Sequence, residues 1–270
     1  MVNRLAISNI AWTENDSQVL EKLSVLGVNG VEVAPFKLTG DWETLNTKIV
    51  GQYRATCNQY GLEIPSFQAF LFGKPHLQLL SSETKFSEFK DHMKIVAELA
   101  AIAGARVLVY GAPKSRLLLD HSYDSGLALS RDRLLQLAEI CDSFDVCLGL
   151  EAVPSAYGGE IITSYKESVN IVKELNHRGL VLHLDAGCTF LNGDSIKKAI
   201  EDTKNSIGHF HVSQPNLGNF NIPSSYHDEA SSALNSSKYN KWLCIEMLSG
   251  DNQLRSIEEA VEFVNRKYIF

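Results

Sequence analysis

The stretch Cys147-Leu148-Gly149-Leu150-Glu151-Ala152-Val153-Pro154 is a short apolar run that carries one carboxylate near its end. Such a run is typical of a buried strand in a parallel sheet. Burying Glu151 there is unfavourable unless another group pairs with its carboxylate. The stretch therefore indicates a parallel sheet and requires a polar partner for Glu151.

Three later stretches repeat this pattern. Residues 181–185 and 242–246 are apolar runs that end in a carboxylate, and residues 207–211 end in an imidazole. The four end residues are Glu151, Asp185, His211 and Glu246, which follow one another at intervals of 34, 26 and 35 residues. One strand-helix unit of an eight-fold barrel takes roughly 30 residues, and the carboxyl ends of all its strands meet at one mouth. Three carboxylates and one imidazole at that mouth suit one divalent metal ion, namely Mn, Mg, Co or Zn.

The remaining apolar runs extend the alternation to eight strand-helix units. Further strands are predicted at residues 5–12, 30–35, 64–70 and 107–110, and Ser164 with Glu167 and Ser256 with Glu259 predict helix caps. The predicted fold is α/β, a single (β/α)8 TIM barrel, with residues 1–270 in one domain. The alternative, an open doubly wound sheet, lacks the Gly-x-Gly-x-x-Gly sequence expected after strand one.

Composition excludes several classes of protein. The chain has 270 residues, 44% of them hydrophobic, and a net charge of −7, which argues against a nucleic-acid or anionic membrane surface. No apolar run reaches the ~18 residues of a spanning helix, and the first residues lack the apolar core of a signal peptide. The five cysteines form no close-spaced pairs, so we expect reduced thiols in a cytoplasmic protein.

Four motifs carry a resemblance to a known family. They are Leu150-Glu151, the run from His183 to Gly187, the run from His209 to Ser213, and Ile245-Glu246. The chain resembles the xylose-isomerase-like barrel superfamily over nearly its whole length. Within it, the chain is similar to the branch of sugar or sugar-phosphate epimerases and isomerases that includes ketose 3-epimerases, hydroxypyruvate isomerase and inosose-processing enzymes.

The resemblance implies that Glu151, Asp185, His211 and Glu246 bind the metal and that Glu151 and Glu246 form the acid/base pair. The expected activity is that of a sugar isomerase or epimerase, which abstracts a proton next to a carbonyl through a metal-bound cis-enediolate. Two bases on opposite faces would epimerise the substrate, and one base moving a proton between adjacent carbons would isomerise it.

The chain departs from the ketose epimerases in two places. Cys188 stands three residues after the metal-binding Asp185, where they usually carry a histidine that contacts substrate. The arginine that they place after strand seven is not evident in residues 214–218. The reaction type is therefore better defined by the sequence than the substrate.

Several other residues are candidates for contacts with substrate or ligands. We expect His183 and His209, two residues before ligands, to lie one layer deeper on the same face and to orient the ligands or fill the core. Core or surface positions are the alternative for Glu32, Trp12 and His227. The candidate substrate-binding residues are Glu32, Gln68, Trp12, Cys188, His227, Lys114 and Arg116.

The loop after strand four predicts an anionic group on the substrate. It reads Gly111-Ala112-Pro113-Lys114-Ser115-Arg116, a tight turn followed by two cations in an acidic chain. Lys74 and His76, which follow strand three, are expected beside it. The alternative is that Lys114 and Arg116 are solvated loop charges.

Other functions remain open at this stage. A keto-inositol dehydratase-like lyase would begin with the same proton abstraction. A metal-dependent phosphodiesterase like the abasic-site endonucleases of the same superfamily would need several metal ions. A non-catalytic sugar-binding barrel would bind without proton exchange. The expected partner is a small sugar or sugar-derived molecule, and a homo-oligomer is compatible with the sequence.

Overall fold

Eight parallel strands form the centre of the fold. The computed structural model describes residues 4–13 and 16–269. The strands are β1 (Arg4–Ser8), β2 (Gly30–Glu32), β3 (Ser66–Phe67), β4 (Val107–Tyr110), β5 (Cys147–Glu151), β6 (Leu180–Asp185), β7 (Ile207–Ser213) and β8 (Trp242–Glu246). They pair in the order β2-β1-β8-β7-β6-β5-β4-β3. Two isolated parallel bridges, Gly30 to Glu63 and Val33 to Phe67, bring the two edges together into a nearly closed barrel.

Helices follow the strands and cover the outside of the barrel. In the described part of the chain they are α1 (Asp16–Val25), α2 (Thr47–Gln59), α3 (Glu83–Ala103), α4 (Tyr123–Asp142), α5 (Tyr165–Leu175), α6 (Ala186–Leu191), α7 (Ile196–Thr203), α8 (Tyr226–Ser236) and α9 (Gln253–Tyr268). Strand and helix alternate as in a (β/α)8 TIM barrel, which confirms the predicted fold class. The assignment of residues 1–270 to one domain stays a prediction.

The predicted boundaries hold in some elements and fail in others. β1 ends at Ser8 because Asn9–Ala11 form a short 3₁₀ turn, and β3 ends at Phe67, close before Ala69 with its left-handed φ of 49°. The predicted capping box of Ser164 and Glu167 is confirmed at α5. The predicted cap at Ser256 is wrong, because α9 begins at Gln253.

Strand register places the polar strand ends side by side. Asp185 pairs with His211, and Ser213 pairs with Glu246. The side chains of alternate residues in a strand point to the same face, so His209, His211 and Ser213 all face the barrel interior. The barrel is otherwise filled and surrounded by buried apolar side chains. Among the described helices, none is long and apolar enough to cross a membrane.

Candidate functional site

The ends of β5 to β8 bring their polar side chains to one point. His211 Nδ1 lies 3.2 Å from Glu246 Oε2 and 3.5 Å from Asp185 Oδ2. Ligand atoms of Glu151, Asp185 and Cys188 lie within 4.8 Å of one another. The four residues that the sequence singles out as strand ends are therefore neighbours in space.

Asp185 is held by the start of the helix that follows it. It is the N-cap of α6, and its Oδ1 accepts a hydrogen bond of 2.6 Å from the backbone N–H of Cys188. Its Oδ2 accepts from Ser213 Oγ at 2.7 Å, and Ser213 Oγ accepts in turn from the backbone N–H of Gly187 at 2.9 Å. The strand-to-helix junction thus sets the position of both carboxylate oxygens.

The orientation of His211 is set from below by Glu32. His211 Nε2 lies 3.0 Å from Glu32 Oε1, and Glu32 is fully buried. Glu32 Oε2 also accepts from Ser66 Oγ at 2.7 Å and lies 3.0 Å from His209 Nε2. Nε2 of His211 thus faces the Glu32 carboxylate. Nδ1, on the other side of the ring, faces the carboxylates of Asp185 and Glu246.

Two levels of this barrel could hold a metal ion. The deeper level is the buried cluster of Glu32, His209 and His211, which Cys244 completes. The upper level contains Asp185 and, through Nδ1, the same His211. His211 Nδ1 is buried and makes no hydrogen bond, although two carboxylates lie beside it. A divalent cation fits such a nitrogen, because metal-binding histidines commonly donate their other N–H to a carboxylate.

The carboxylates at the upper level repel one another. Burial, reinforced by the charges of Asp185 and Glu246, raises the pKa of Glu151 to about 8. Burial likewise raises the pKa of Glu246, although the charge of His211 opposes the shift. For Asp185, burial alone would raise the pKa, but interaction with His211 brings it below its ordinary value. The excess of buried negative charge is what a cation would neutralise.

The pKa of His211 shifts in the opposite direction to that of its histidine neighbours. Burial would lower it, but the charges of Glu32 and Glu246 raise it well above its ordinary value. Burial keeps the pKa of His183 well below the ordinary value and also lowers that of His209. The imidazole that faces carboxylates on both sides is thus the one that holds positive charge most readily.

Gly111 makes room for the Glu151 carboxylate. A Cβ on Gly111 would lie 1.8 Å from Glu151 Oε2, closer than any two such atoms can approach. The end of β5 is also held by Arg116, whose guanidinium donates to the backbone carbonyls of Glu151 and Tyr110. Residues after β4 therefore position the end of β5.

A cavity of about 960 Å³ opens above this cluster. Glu151 and Glu246 contribute to its lining, as do three of the predicted substrate-binding residues, Gln68, Cys188 and Lys114. Cys188 Sγ lies 3.3 Å from Glu151 Oε1, so the thiol contacts one of the two predicted acid/base residues directly. The cavity therefore adjoins the carboxylates from the solvent side.

Three predicted substrate-binding residues lie outside the cavity lining that the described residues form. Trp12 is buried and its Nε1 donates to Asp16 Oδ1 at 2.7 Å. His227 is buried between α8 and α9, where its Nδ1 lies 2.5 Å from Tyr268 Oη. Arg116 is fully buried, and its guanidinium faces backbone carbonyls and the Tyr110 ring. Each of the three side chains has at least one partner inside the protein, and contact of these residues with substrate stays a prediction.

Glu32 is a fourth predicted substrate-binding residue outside this cavity lining. It was expected at a substrate hydroxyl, but hydrogen bonds to Ser66, His209 and His211 engage it below the site. His209 and His211 share this carboxylate, and their rings lie edge to face with centroids 5.4 Å apart. His183 packs its ring edge-on against His211, with centroids 4.1 Å apart, and neither of its nitrogens has a hydrogen-bond partner. Glu32 thus orients His211, and an orienting role of His183 and His209 stays a prediction.

Sequence reasoning missed the residues that act through another residue. Ser213 donates a hydrogen bond to the Asp185 carboxylate, and Gly111 leaves room for that of Glu151. A serine and a glycine at strand ends have no chemical signature of their own. Ser213 could have been found from its place two residues after His211, which puts it on the same face. The contact of Gly111 with Glu151 crosses between strands and carries no such signal.

Comparison with known proteins agrees with this architecture. The family model described as "Xylose isomerase-like TIM barrel" matches residues 20–267. No curated protein matches the chain significantly in sequence.

Similar solved structures include three sugar epimerases. An L-ribulose 3-epimerase shares 15% identity at a TM-score of 0.83, covering 98% of this chain and 94% of its own. The D-psicose 3-epimerase of Clostridium cellulolyticum H10, solved with D-tagatose, shares 15% identity at a TM-score of 0.80, covering 98% and 99%. A 3-keto-D-glucoside 4-epimerase from E. coli shares 13% identity at 0.79, covering 98% and 99%. With its eight-stranded barrel and a family match over most of its length, the chain belongs to the xylose isomerase-like TIM barrel family.

Proposed function

We propose that this protein is a divalent-metal-dependent sugar isomerase or epimerase that moves a proton on a carbon next to a carbonyl. The observation that carries the proposal is the convergence of four side chains at the barrel mouth, with His211 Nδ1 directed at two carboxylates. These side chains, which would hold one Mn, Mg, Co or Zn ion, are Glu151, Asp185, His211 and Glu246.

The upper level is the better site for a catalytic ion. Glu151, Cys188 and Glu246 line the cavity, so an ion beside them could meet a substrate. At the deeper level, Glu32, His209 and His211 are almost completely excluded from solvent. Glu32 already accepts hydrogen bonds there, and it serves His211 as the carboxylate partner that a metal-binding histidine commonly has.

The proton transfers fall to Glu151 and Glu246. They come from β5 and β8, which are three places apart in the barrel, and both line the same cavity. A cation held by these residues would supply charge that stabilises the negative oxygen developing beside the carbon that loses its proton. One carboxylate removes the proton, and either the other returns it, which gives epimerisation, or the first returns it to the next carbon, which gives isomerisation.

The substrate class rests on two further observations. The similar structures include three proteins whose names describe sugar epimerases. Lys114 and Lys74 both line the cavity, and neither forms an ion pair with a carboxylate of the described residues. A sugar that carries an anionic group near these lysines fits the cavity. Of the two cations after β4 that the sequence predicts beside this group, Lys114 lines the cavity and Arg116 does not.

Exchange of carbon-bound hydrogen tests the proposal. The protein is incubated with Mn²⁺ in deuterated water with a panel of ketoses, ketose phosphates and keto-inositols, and NMR identifies the carbon that gains deuterium. Glu246→Gln should lower the exchange rate by about 10²–10⁴ while keeping an oxygen donor for the metal. Glu98→Gln, on the exposed face of α3, is the matched control and should not change the rate.

Three outcomes would reject or redirect the assignment. Exchange that survives Glu246→Gln at normal metal content would reject Glu246 as an acid/base residue. Binding of sugars without exchange on any compound would indicate a non-catalytic barrel. Loss of water from a keto-inositol would identify the dehydratase-like alternative.

A further inference from the structure

The cavity is charged at its floor and apolar on its walls. Glu151 and Glu246 form the floor, and Lys74 and Lys114 are the other charged residues among the lining residues. Much of the wall comes from loops at the carboxyl ends of β1, β3, β7 and β8. Its principal apolar side chains are Ile10, Phe70, Phe72, Leu77, Leu217 and Leu248.

Phe72 is held in place although it is exposed. Phe72 lies in the loop after β3, and 64% of its surface is accessible to solvent. Trp42 Nε1 donates a 2.7 Å hydrogen bond to the Phe72 carbonyl, and the Phe72 ring packs against Phe36 with centroids 5.1 Å apart. An exposed aromatic ring on an anchored backbone presents a preformed apolar surface.

Leu248 forms the other side of the wall. It is 53% exposed, and its backbone N–H donates to the Leu217 carbonyl at 2.9 Å, which ties the loop after β8 to the loop after β7. β8 lies three places from β3 around the eight-stranded barrel. Phe72 and Leu248 therefore hold apolar surface on separate walls of one cavity.

Two uncharged polar side chains of the wall already have partners. Gln68 Nε2 donates to Ser8 Oγ at 2.5 Å, and Tyr157 Oη accepts from the backbone N–H of Asn216 at 2.8 Å. Away from the charged residues, a free polyol would bring hydroxyls against apolar side chains, which is unfavourable. A cavity of about 960 Å³ also lies near the upper end of the volumes that suit drug-sized ligands, well above the need of one sugar ring.

We infer that the substrate is a keto-sugar glycoside whose aglycone is apolar. Its carbonyl and adjacent hydroxyl lie at Glu151 and Glu246, and its apolar group lies between Phe72 and Leu248. The inference rests on the proposed function, since that function decides which end of the substrate reaches the floor. It adds that the larger part of the ligand is recognised by apolar contact.

A pair of glycosides that differ only in the aglycone tests this inference. The methyl and benzyl glycosides of one hexos-3-ulose are titrated by calorimetry into the Mn²⁺-loaded protein, and deuterium exchange is followed by NMR on the same samples. We expect the benzyl compound to bind at least about tenfold more tightly, because its ring buries apolar surface.

Two wall variants and a control locate the effect. Phe72→Ser and Leu248→Ser should each reduce the benzyl preference toward one by weakening the binding of the benzyl glycoside. Both side chains are more than half exposed, so the fold should tolerate the change. Ile95→Ser, at a 51% exposed position on α3, is the matched control and should keep the full preference.

The outcomes separate this inference from the proposed function. Equal affinity for the two glycosides in the parent protein overturns the inference, whether or not exchange occurs. A preference that both wall variants retain also overturns it. If the preference depends on the wall but no compound exchanges deuterium, the apolar subsite stands and the proposed isomerase or epimerase activity fails. A change in oligomer mass on light scattering with no change in preference would make the wall a contact between copies of the chain, which also overturns the inference.

Discussion

The two halves of the barrel mouth carry different chemistry. At or near the carboxyl ends of β5 to β8 lie four polar residues whose side chains meet at one point, namely Glu151, Asp185, His211 and Glu246. The loops after β1, β3 and β4 supply most of the apolar wall, and the one carboxylate at a strand end of that half, Glu32, lies beneath the cluster. The second half of the chain thus holds the reacting groups, and the first half shapes what can reach them.

The halves also differ in how firmly their parts are placed. β7 has seven residues and pairs with β8 and, across one register shift, with β6, whereas β3 has two residues and its gap to β2 is closed by isolated bridges. Side chains on long paired strands are positioned more tightly than those on loops. The titratable groups lie on β5 to β8, the longer paired strands, and small displacements of these groups would matter most for proton transfer.

The largest effect is expected from removing a predicted metal ligand at the end of β6, in the second half of the chain. Asp185→Ala should abolish binding of Mn²⁺ in calorimetry, because the variant loses a carboxylate that lies beside both His211 and Ser213. It should also remove most of the rise in melting temperature that the metal gives the parent protein by mass action.

Asp120→Ala is the control for that experiment. Asp120 is exposed and outside the cavity lining, so its loss should leave metal affinity unchanged. Unchanged affinity in Asp185→Ala as well would remove Asp185 from the metal site and point to the deeper cluster of Glu32, His209 and His211.

The dependence of one half on the other can be tested at Gly111. Gly111→Ala should displace the Glu151 carboxylate, because the new methyl group would overlap Glu151 Oε2. A displacement of about 1 Å at a catalytic group can cost on the order of 10² in rate, so we expect a loss of that size in deuterium exchange.

Gly51→Ala on α2 is the matched control. A Cβ at Gly51 meets its nearest neighbour at 3.9 Å, so alanine should leave exchange unchanged and stabilise the helix by up to ~1 kcal/mol. If Gly111→Ala keeps the parental rate, the position of Glu151 is not set by the neighbouring strand.

The charge balance of the polar half should be visible in the pH dependence of stability. In the metal-free protein the pKa of Glu151 is about 8, above its ordinary value of 4.5. The folded protein then holds this proton more tightly than the unfolded chain, so its contribution is complete below about pH 4.5 and is lost as the pH rises through 8. In Glu151→Gln that loss cannot occur.

The measurement is the difference in melting temperature between parent and Glu151→Gln with chelator present. The melting temperature of the variant should rise relative to that of the parent between about pH 5 and pH 9. The contributions of other titrating groups should largely cancel in the difference. With Mn²⁺ present the parent should have the higher melting temperature, because it binds the ion more tightly than the variant does. A difference that stays constant with pH would mean that Glu151 is not held protonated.

The smallest expected effect belongs to the rim of the apolar half. Lys114→Ala should raise KM for a phosphorylated or carboxylated substrate by about tenfold and hardly change KM for a neutral sugar, as expected for one charge-assisted hydrogen bond. Lys197→Ala, exposed on α7, should change neither value. Equal effects of Lys114→Ala on charged and neutral substrates would make Lys114 an ordinary surface charge.

Much of the fold could be predicted because it depends on local pattern. The apolar runs at β4 to β8 ended at or close to their predicted residues, and the capping box at Ser164 was read correctly from two residues. β1 and β3 ended early because turns began at Asn9 and near Ala69, where no Gly or Pro marks the change. The same kind of pattern failed at Ser256, since Asn252 caps α9 one turn earlier.

The sequence by itself determined the barrel and the four polar strand ends, because spacing along the chain becomes position around a barrel. Tertiary structure alone decided which polar groups are available to a ligand. Arg116 and His227 have the right chemistry, but packing from other elements gives them internal partners. Glu32 turned out to support His211, and Gly111 to accommodate Glu151, since both contacts join residues that are distant in sequence and meet only when the barrel closes.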